Sequence, residues 1–157
     1  MSFKVILWPT DASAPSLKAL QAAVDMAETY EAALHGLQVV NPVPLLAEAG
    51  TGFAPTGTLP FNIPLYEKEL VGAARTRLEK TIAEEIPEKI IASAEVRVGE
   101  PHEVIIEFVR EKDIDLIVMA THGRTGFRHL LLGSVAEKVI RNSPVPVLAV
   151  PVETEES

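Results

Sequence analysis

The residues best suited to chemistry lie close together between positions 119 and 136. Met119 is followed by Ala120, Thr121, His122, Gly123, Arg124, Thr125 and Gly126, then by Phe127–Leu132, and then by Gly133, Ser134, Val135 and Ala136. A strand ending at Met119 and a helix opening at Gly133–Ser134 would place free backbone N–H groups and a partial positive charge at the end of a glycine-bearing loop. That combination favours an anion. Glycine at 133 would let a phosphate approach the backbone, and Ser134 could cap the helix or bond a phosphate oxygen. Between Thr121 and Asn142, Arg124, Arg128, Lys138 and Arg141 oppose only Glu137, a local charge of +3 in a chain of -8. The same residues have a plainer reading, in which Gly123 and Gly126 shape a turn, Ser134 caps, and the arginines form a solvated face. Spacing alone leaves both open.

Other signatures are absent. No Gly-Lys-Ser/Thr run exists for a Walker A loop, and no Gly-x-Ser-x-Gly elbow for a hydrolase. Gly50-Thr51-Gly52 is a fragment of a dinucleotide fingerprint, but it sits among prolines instead of at a strand-to-helix turn. His35, His102, His122 and His129 lack helical ligand spacing, so no metal set is expected, and Trp8 reads as core.

The elements that must position these loops follow from hydrophobic patterning. Lys4–Trp8, Ala33–Val40, Ser93–Val98, Leu116–Met119 and Val145–Val150 are short apolar runs suited to strands buried on both faces. Between them four helices are expected. The first carries Leu17, Leu20, Val24 and Ala27 behind an N-cap at Ser13; the second carries Val71, Ala74, Leu78 and Ile82. The third carries Val104, Ile105, Phe108 and Val109 behind Pro101. The last, from near Ser134, carries Val135, Val139 and Ile140 and stops before Pro144. Alternation over the whole length means α/β: one doubly wound parallel sheet of five strands with helices on both faces. Ligands of such sheets bind beyond the carboxyl ends of the strands. The loops that matter therefore begin at Pro9, Asn41, Gly99 and Ala120.

Composition bounds the rest. The 157 residues are 47% hydrophobic and 23% charged, the balance of a single soluble domain of ordinary size. The net acidity argues against nucleic acid as a partner. No stretch approaches 18 continuous apolar residues, the run Met1–Trp8 is too short for a signal peptide, and there is no cysteine, so cytoplasm is the expected compartment and no membrane partner is expected. The domain is expected over residues 1–152. It carries a flexible insertion at about 41–64, with five of the twelve prolines, and an acidic tail at 153–157. The insertion is expected to fold over the mouth of the ligand site.

Three motifs, in order, carry a resemblance over nearly the whole chain. Ala120-Thr121-His122-Gly123, nine residues, then Gly133-Ser134 resembles the Gly-x2-Gly-x9-Gly-Ser/Thr motif of the ATP-binding branch of the universal stress protein family. Val5–Asp11 is similar to that family's first strand and its aspartate, and Pro144–Val150 to its last strand. One position departs: Ala120 stands where the family has its first motif glycine. The resemblance implies the adenine nucleotide alpha hydrolase-like sheet with strand order 3-2-1-4-5. It implies ATP with Mg²⁺ or Mn²⁺ held mainly by phosphates and water. Asp11 would bond the ribose hydroxyls, with Pro9 and Thr10 shaping the adenosine pocket. Val39 would offer backbone groups to adenine, and Met119 and Ala120 would line the nucleoside. Gly123, Arg124, Gly133, Ser134 and Val135 would surround the triphosphate.

The expected function is an ATP-binding regulatory or stress-response module with slow or no hydrolysis, because no general base and no lysine aimed at a γ-phosphate can be named. An ATP-cleaving enzyme and a nucleotide-free interaction protein are the alternatives. The apolar final strand, with Pro146 and Pro151 limiting its donors, is an edge that needs cover. The resemblance also implies a homodimer through residues 145–150.

Overall fold

Strands whose central members carry no Asp, Glu, Lys or Arg are satisfied by helices packed on both sides, and the chain builds that arrangement. The structure is a computed structural model that describes residues 1–41, 63–123 and 132–152. Within them run β1 (Val5–Thr10), α1 (Ala14–Tyr30), β2 (Ala33–Val40), α2 (Ile63–Glu85), β3 (Ala92–Val98), α3 (Pro101–Glu111), β4 (Leu116–Ala120), α4 (Ser134–Asn142) and β5 (Val147–Val150). All strand pairs are parallel, and the sheet order is β3-β2-β1-β4-β5. The expected α/β architecture and strand order are those observed. No helix among the described residues is long and apolar enough to cross a membrane.

Two apolar layers flank the sheet. On one face, Ile6, Trp8, Leu34 and Val118 pack with Leu20, Val24 and Ala27 of α1 and Leu78 of α2. On the other, Leu7, Leu37, Ile117 and Met119 pack with Ile105, Phe108 and Val109 of α3 and Val139 of α4. The alternation of Ile6 and Leu7 between layers is the two-residue period of a strand buried on both sides. Trp8 is core, as its apolar setting requires, and its Nε1 donates to the Ser16 carbonyl at 2.8 Å.

Several boundaries differ from the sequence expectation. Strand β1 runs two residues further, through Pro9 and Thr10, and β5 starts at Val147 instead of Val145. Ile63 and Pro64, assigned by their breaker chemistry to the insertion, are the first residues of α2, where a proline in the first turn sacrifices no helical hydrogen bond. Leu17 and Ile140 fit the helical period but lie 45% and 40% exposed, at the margins of their apolar stripes. Residues 42–62 of the expected insertion and the acidic tail 153–157 lie outside the described residues.

Candidate functional site

The site begins with a proline in a central strand. Pro9 has no N–H to donate. The β1–β4 pairing joins Ile6 to Leu116 and Leu7 to Ile117 and goes no further, although β1 stays paired with β2 as far as Thr10. The crevice therefore opens between β1 and β4, where the strand order reverses.

A cleft of about 530 Å³ occupies that point, within the size range of small-molecule sites. It brings together Pro9, Thr10 and Asp11 from the end of β1, Val39 from β2, Met119 and Ala120 from β4, Gly123 beyond it, and Gly133, Ser134 and Val135 at the start of α4. Arg124, the remaining expected site residue, lies outside the described residues. The inner wall is apolar, with Leu37, Ile105 and Met119 buried against it.

The loop after β1 is locked by its own side chains. Thr10 Oγ1 accepts from the Ala12 amide at 3.0 Å and lies 2.7 Å from Ser16 Oγ, which donates to the Ser13 carbonyl at 2.9 Å. Asp11 Oδ1 accepts from the Ser13 amide at 3.0 Å, and Ser13 Oγ caps α1 by accepting from Ser16 N at 3.4 Å. These bonds hold Ala12 at φ 64°, left-handed backbone that an alanine adopts only when its neighbours fix it. The Thr10 hydroxyl is thus committed to the loop.

Opposite this loop, two glycines stand where a side chain would be crowded. A Cβ on Gly123 would collide with Asp11 Oδ2. Because Oδ1 is tied to Ser13, the carboxylate cannot swing aside without releasing that bond. A Cβ on Gly133 would lie 3.1 Å from the Thr121 carbonyl oxygen and 3.4 Å from His122 Cα. Gly133 has φ -69°, so nothing in its conformation demands glycine.

Helix α4 is left open at its start. Gly133 is its N-cap with no side-chain cap, and its amide donates to the Thr121 carbonyl at 2.6 Å. Ser134 is the first helical residue and caps nothing. The amides of Ser134, Val135 and Ala136 are the first-turn donors that no turn of helix precedes, and all three residues line the cleft. Of the expected local +3, only part lies among the described residues. Lys138 and Arg141 do not line the cleft, Arg141 is exposed and paired with Glu137 at 2.7 Å, and Arg124 and Arg128 lie outside the described residues.

Ala120 is the last residue of β4 and is absent from the left-handed residues, so the strand accommodates its methyl group. Asn41 and Glu100, in loops that the sequence placed at the ligand end but to which it gave no role, also line the cleft. Glu100 Oε2 accepts from Asn41 Nδ2 at 3.3 Å, and Oε1 lies 3.3 Å from His102 Nδ1. The loop at Gly99 was a signal for Glu100; nothing in the sequence distinguished its carboxylate. No cluster of three or more His, Asp or Glu capable of holding a metal occurs among the described residues.

A second polar cluster lies away from the cleft. Arg97 spans Glu95 and Glu111 at 3.1 and 2.5 Å and stacks 4.7 Å above Phe108. His35 bonds Ser93 beside the same ring, and burial, reinforced by Lys112, holds its imidazole below the usual range. This cluster fastens α3 to the β3 edge.

Known proteins share this architecture. The chain is 38% identical over 148 residues to universal stress protein MJ0531 of Methanocaldococcus jannaschii, covering 94% of this chain and 82% of that one. It superposes on the solved structure of MJ0577, a universal stress protein of the same organism, with TM-score 0.81 and 26% identity, covering 99% of this chain and 100% of that one. A universal stress protein solved in complex with cAMP matches with TM-score 0.62 and 24% identity over 96% of this chain and 98% of that one. The sequence profile of the universal stress protein family matches residues 2–151. A chain matched over that length, carrying this sheet order and this cleft, belongs to the universal stress protein family.

Proposed function

We propose that the protein is an ATP-binding regulatory module of the stress response, in the ATP-binding branch of its family, with slow or no hydrolysis. The observation that carries this reading is the division of the cleft into an apolar slot and an open helix start. Adenine enters the slot, meeting the backbone of Val39 and the side chains of Met119 and Ala120. The ribose hydroxyls bond Asp11, and Pro9 and Thr10 fix the loop that presents it. The phosphates run to the amides of Ser134, Val135 and Ala136, with Gly133 keeping the approach clear and Gly123 leaving room for Asp11. Arg124 supplies charge to the phosphates. The neighbour bound to cAMP carries the fold alone at its identity, so the reading rests on these residues.

Mg²⁺ or Mn²⁺ would offset phosphate charge. Such a hard ion would be held mainly by phosphate oxygens and water. The cleft carboxylates support slow turnover. Asp11 Oδ1 accepts from the Ser13 amide and Glu100 bonds Asn41 and His102, so both carboxylates are already engaged as acceptors.

Mass spectrometry of small molecules released from purified protein should find an adenine nucleotide, and calorimetry should show ATP binding with divalent metal. Absence of both overturns the reading. A turnover of about 1 to 1,000 per second would establish an enzyme instead.

The assembly we infer is a homodimer. Strand β5 is a sheet edge, Leu148 is 38% exposed, and Pro146 and Pro151 restrict any pairing to a short fixed register. A two-fold axis there pairs residues 145–150 antiparallel with their own copy and leaves two equivalent nucleotide sites. Sedimentation equilibrium at micromolar concentration should show a wild-type dimer and a monomeric Leu148→Lys. A monomeric wild type, or a dimer indifferent to the lysine, places the interface elsewhere.

A further inference from the structure

We infer that the outer edge of β3 is a second self-association surface, on which a copy of the chain pairs antiparallel about Val96. The inference stands apart from the nucleotide reading and from the β5 interface, which lies at the opposite edge of the sheet.

The two edges differ in what their backbones offer. β5 has four residues, flanked by Pro146 and Pro151, whereas β3 has seven, Ala92–Val98, and no proline. The bonds that tie β3 to β2 identify which of its groups are engaged. The Leu34 amide donates to the Ile91 carbonyl at 2.9 Å, and the Gly99 amide donates to the Val40 carbonyl at 3.0 Å. In a strand the amide and carbonyl of one residue point to the same side, and those of the next residue to the other. Ser93, Glu95 and Arg97 therefore face β2 with their backbone groups, and Ala92, Ala94, Val96 and Val98 present theirs outward. No other strand among the described residues meets them. Such a row is a template for a further strand.

Side chains select the partner and the register. Glu95 and Arg97 lie on the α3 face of the strand, where Arg97 bridges Glu95 and Glu111 over the Phe108 ring. Both bonds from Arg97 to Glu95 end on Oε1. Charges on an edge strand commonly discourage pairing. Here an acid and a base flank Val96, and that order is self-complementary. A two-fold axis through Val96 pairs Val96 with its own copy and Ala94 with the copy's Val98, all through outward backbone groups. It sets Glu95 opposite the copy's Arg97 in a non-hydrogen-bonded pair, the closer of the two antiparallel spacings. On the α2 face, Val98 is 43% exposed and meets Ala94, whose small side chain leaves it room. An axis two residues earlier, through Ala94, would set Glu95 opposite Ser93 and Arg97 opposite Ile91, so the charges fix the register.

The interface rests on main-chain bonds and partly exposed ion pairs, so it is weak, with association beginning at about 0.1 mM. At the micromolar concentrations that separate the β5 dimer from monomeric Leu148→Lys, β3 stays unpaired.

The test is sedimentation equilibrium of Leu148→Lys, which removes the β5 edge from the readout, from about 0.01 to 1 mM at low salt. The protein should dimerise across this range, and high salt should weaken the dimer. Adding either Glu95→Arg or Arg97→Glu should weaken it about tenfold or more, because like charges then oppose each other. An equimolar mixture of the two double variants should recover the dimer, since the arginines of one chain then face the glutamates of the other. A misfolded variant could not be rescued in this way. Leu148→Lys that stays monomeric at the highest concentration overturns the inference. So does a dimer that neither charge variant weakens, or a pair of variants whose mixture does not associate.

Discussion

Helices α1 and α4 both begin at the cleft, yet one is closed and the other open. The start of α1 is finished internally: Ser13 caps it, Asp11 takes the Ser13 amide, and Thr10 takes the amide of Ala12. The start of α4 has a glycine cap, a second glycine across from it, and first-turn amides with no side chain turned back to meet them. The difference separates two roles that helix starts can play. Where side chains satisfy the amides, the turn is a rigid support, and its one outward product is the Asp11 carboxylate. Where side chains are withheld, the turn keeps backbone donors of the kind an anion can take.

That contrast can be broken from either side. The largest effect is expected for Gly133→Val. A branched side chain would press on the Thr121 carbonyl and block the approach to the α4 amides. Losing several hydrogen bonds to a charged group, at about 1.5–3 kcal/mol each, should weaken ATP by at least about a hundredfold. Adenosine should be affected far less. Calorimetry showing ATP bound as in wild type would mean that the phosphates lie elsewhere.

Gly123→Ala should come next. Its methyl displaces Asp11 Oδ2, so the loss should be about tenfold and shared by adenosine and ATP, because the damage falls on the ribose side. A loss confined to ATP would assign Gly123 to the phosphates. The smallest effect on binding is expected for Ser13→Ala. Removing the α1 cap should cost about 1 kcal/mol of stability, read as a lower Tm, with ATP affinity unchanged.

The open start was more legible in the sequence than the closed one. Gly133-Ser134 after a strand and loop announced a helix start, and the motif placed it. The sequence could not say that Gly133 occupies the cap, or that Ser134 makes no capping bond, because hydroxyl residues at either position look alike. Of the cations in the charge count, Lys138 and Arg141 do not line the cleft, and Arg124 and Arg128 lie outside the described residues. At the closed start, Ser13 was legible as a cap. Ala12 was not, since alanine has no preference for left-handed backbone and is held there by Thr10 and Asp11. Pro9 marked a loop by propensity, yet it lies in β1, because it needs to donate to neither neighbour once β4 has diverged. The loop at Gly99 pointed to the position of Glu100, but nothing in the sequence singled out its carboxylate.

The most direct test of the account is amide chemical-shift mapping with adenosine and with ATP and Mg²⁺. The amides of Ser134, Val135 and Ala136 should shift strongly with ATP and little with adenosine, while those of Ala12, Ser13 and Ser16 should respond alike to both. Equal shifts at 134–136 with either ligand, or ATP-specific shifts centred on the first turn of α1, would contradict the claim that the open start of α4 receives the phosphates.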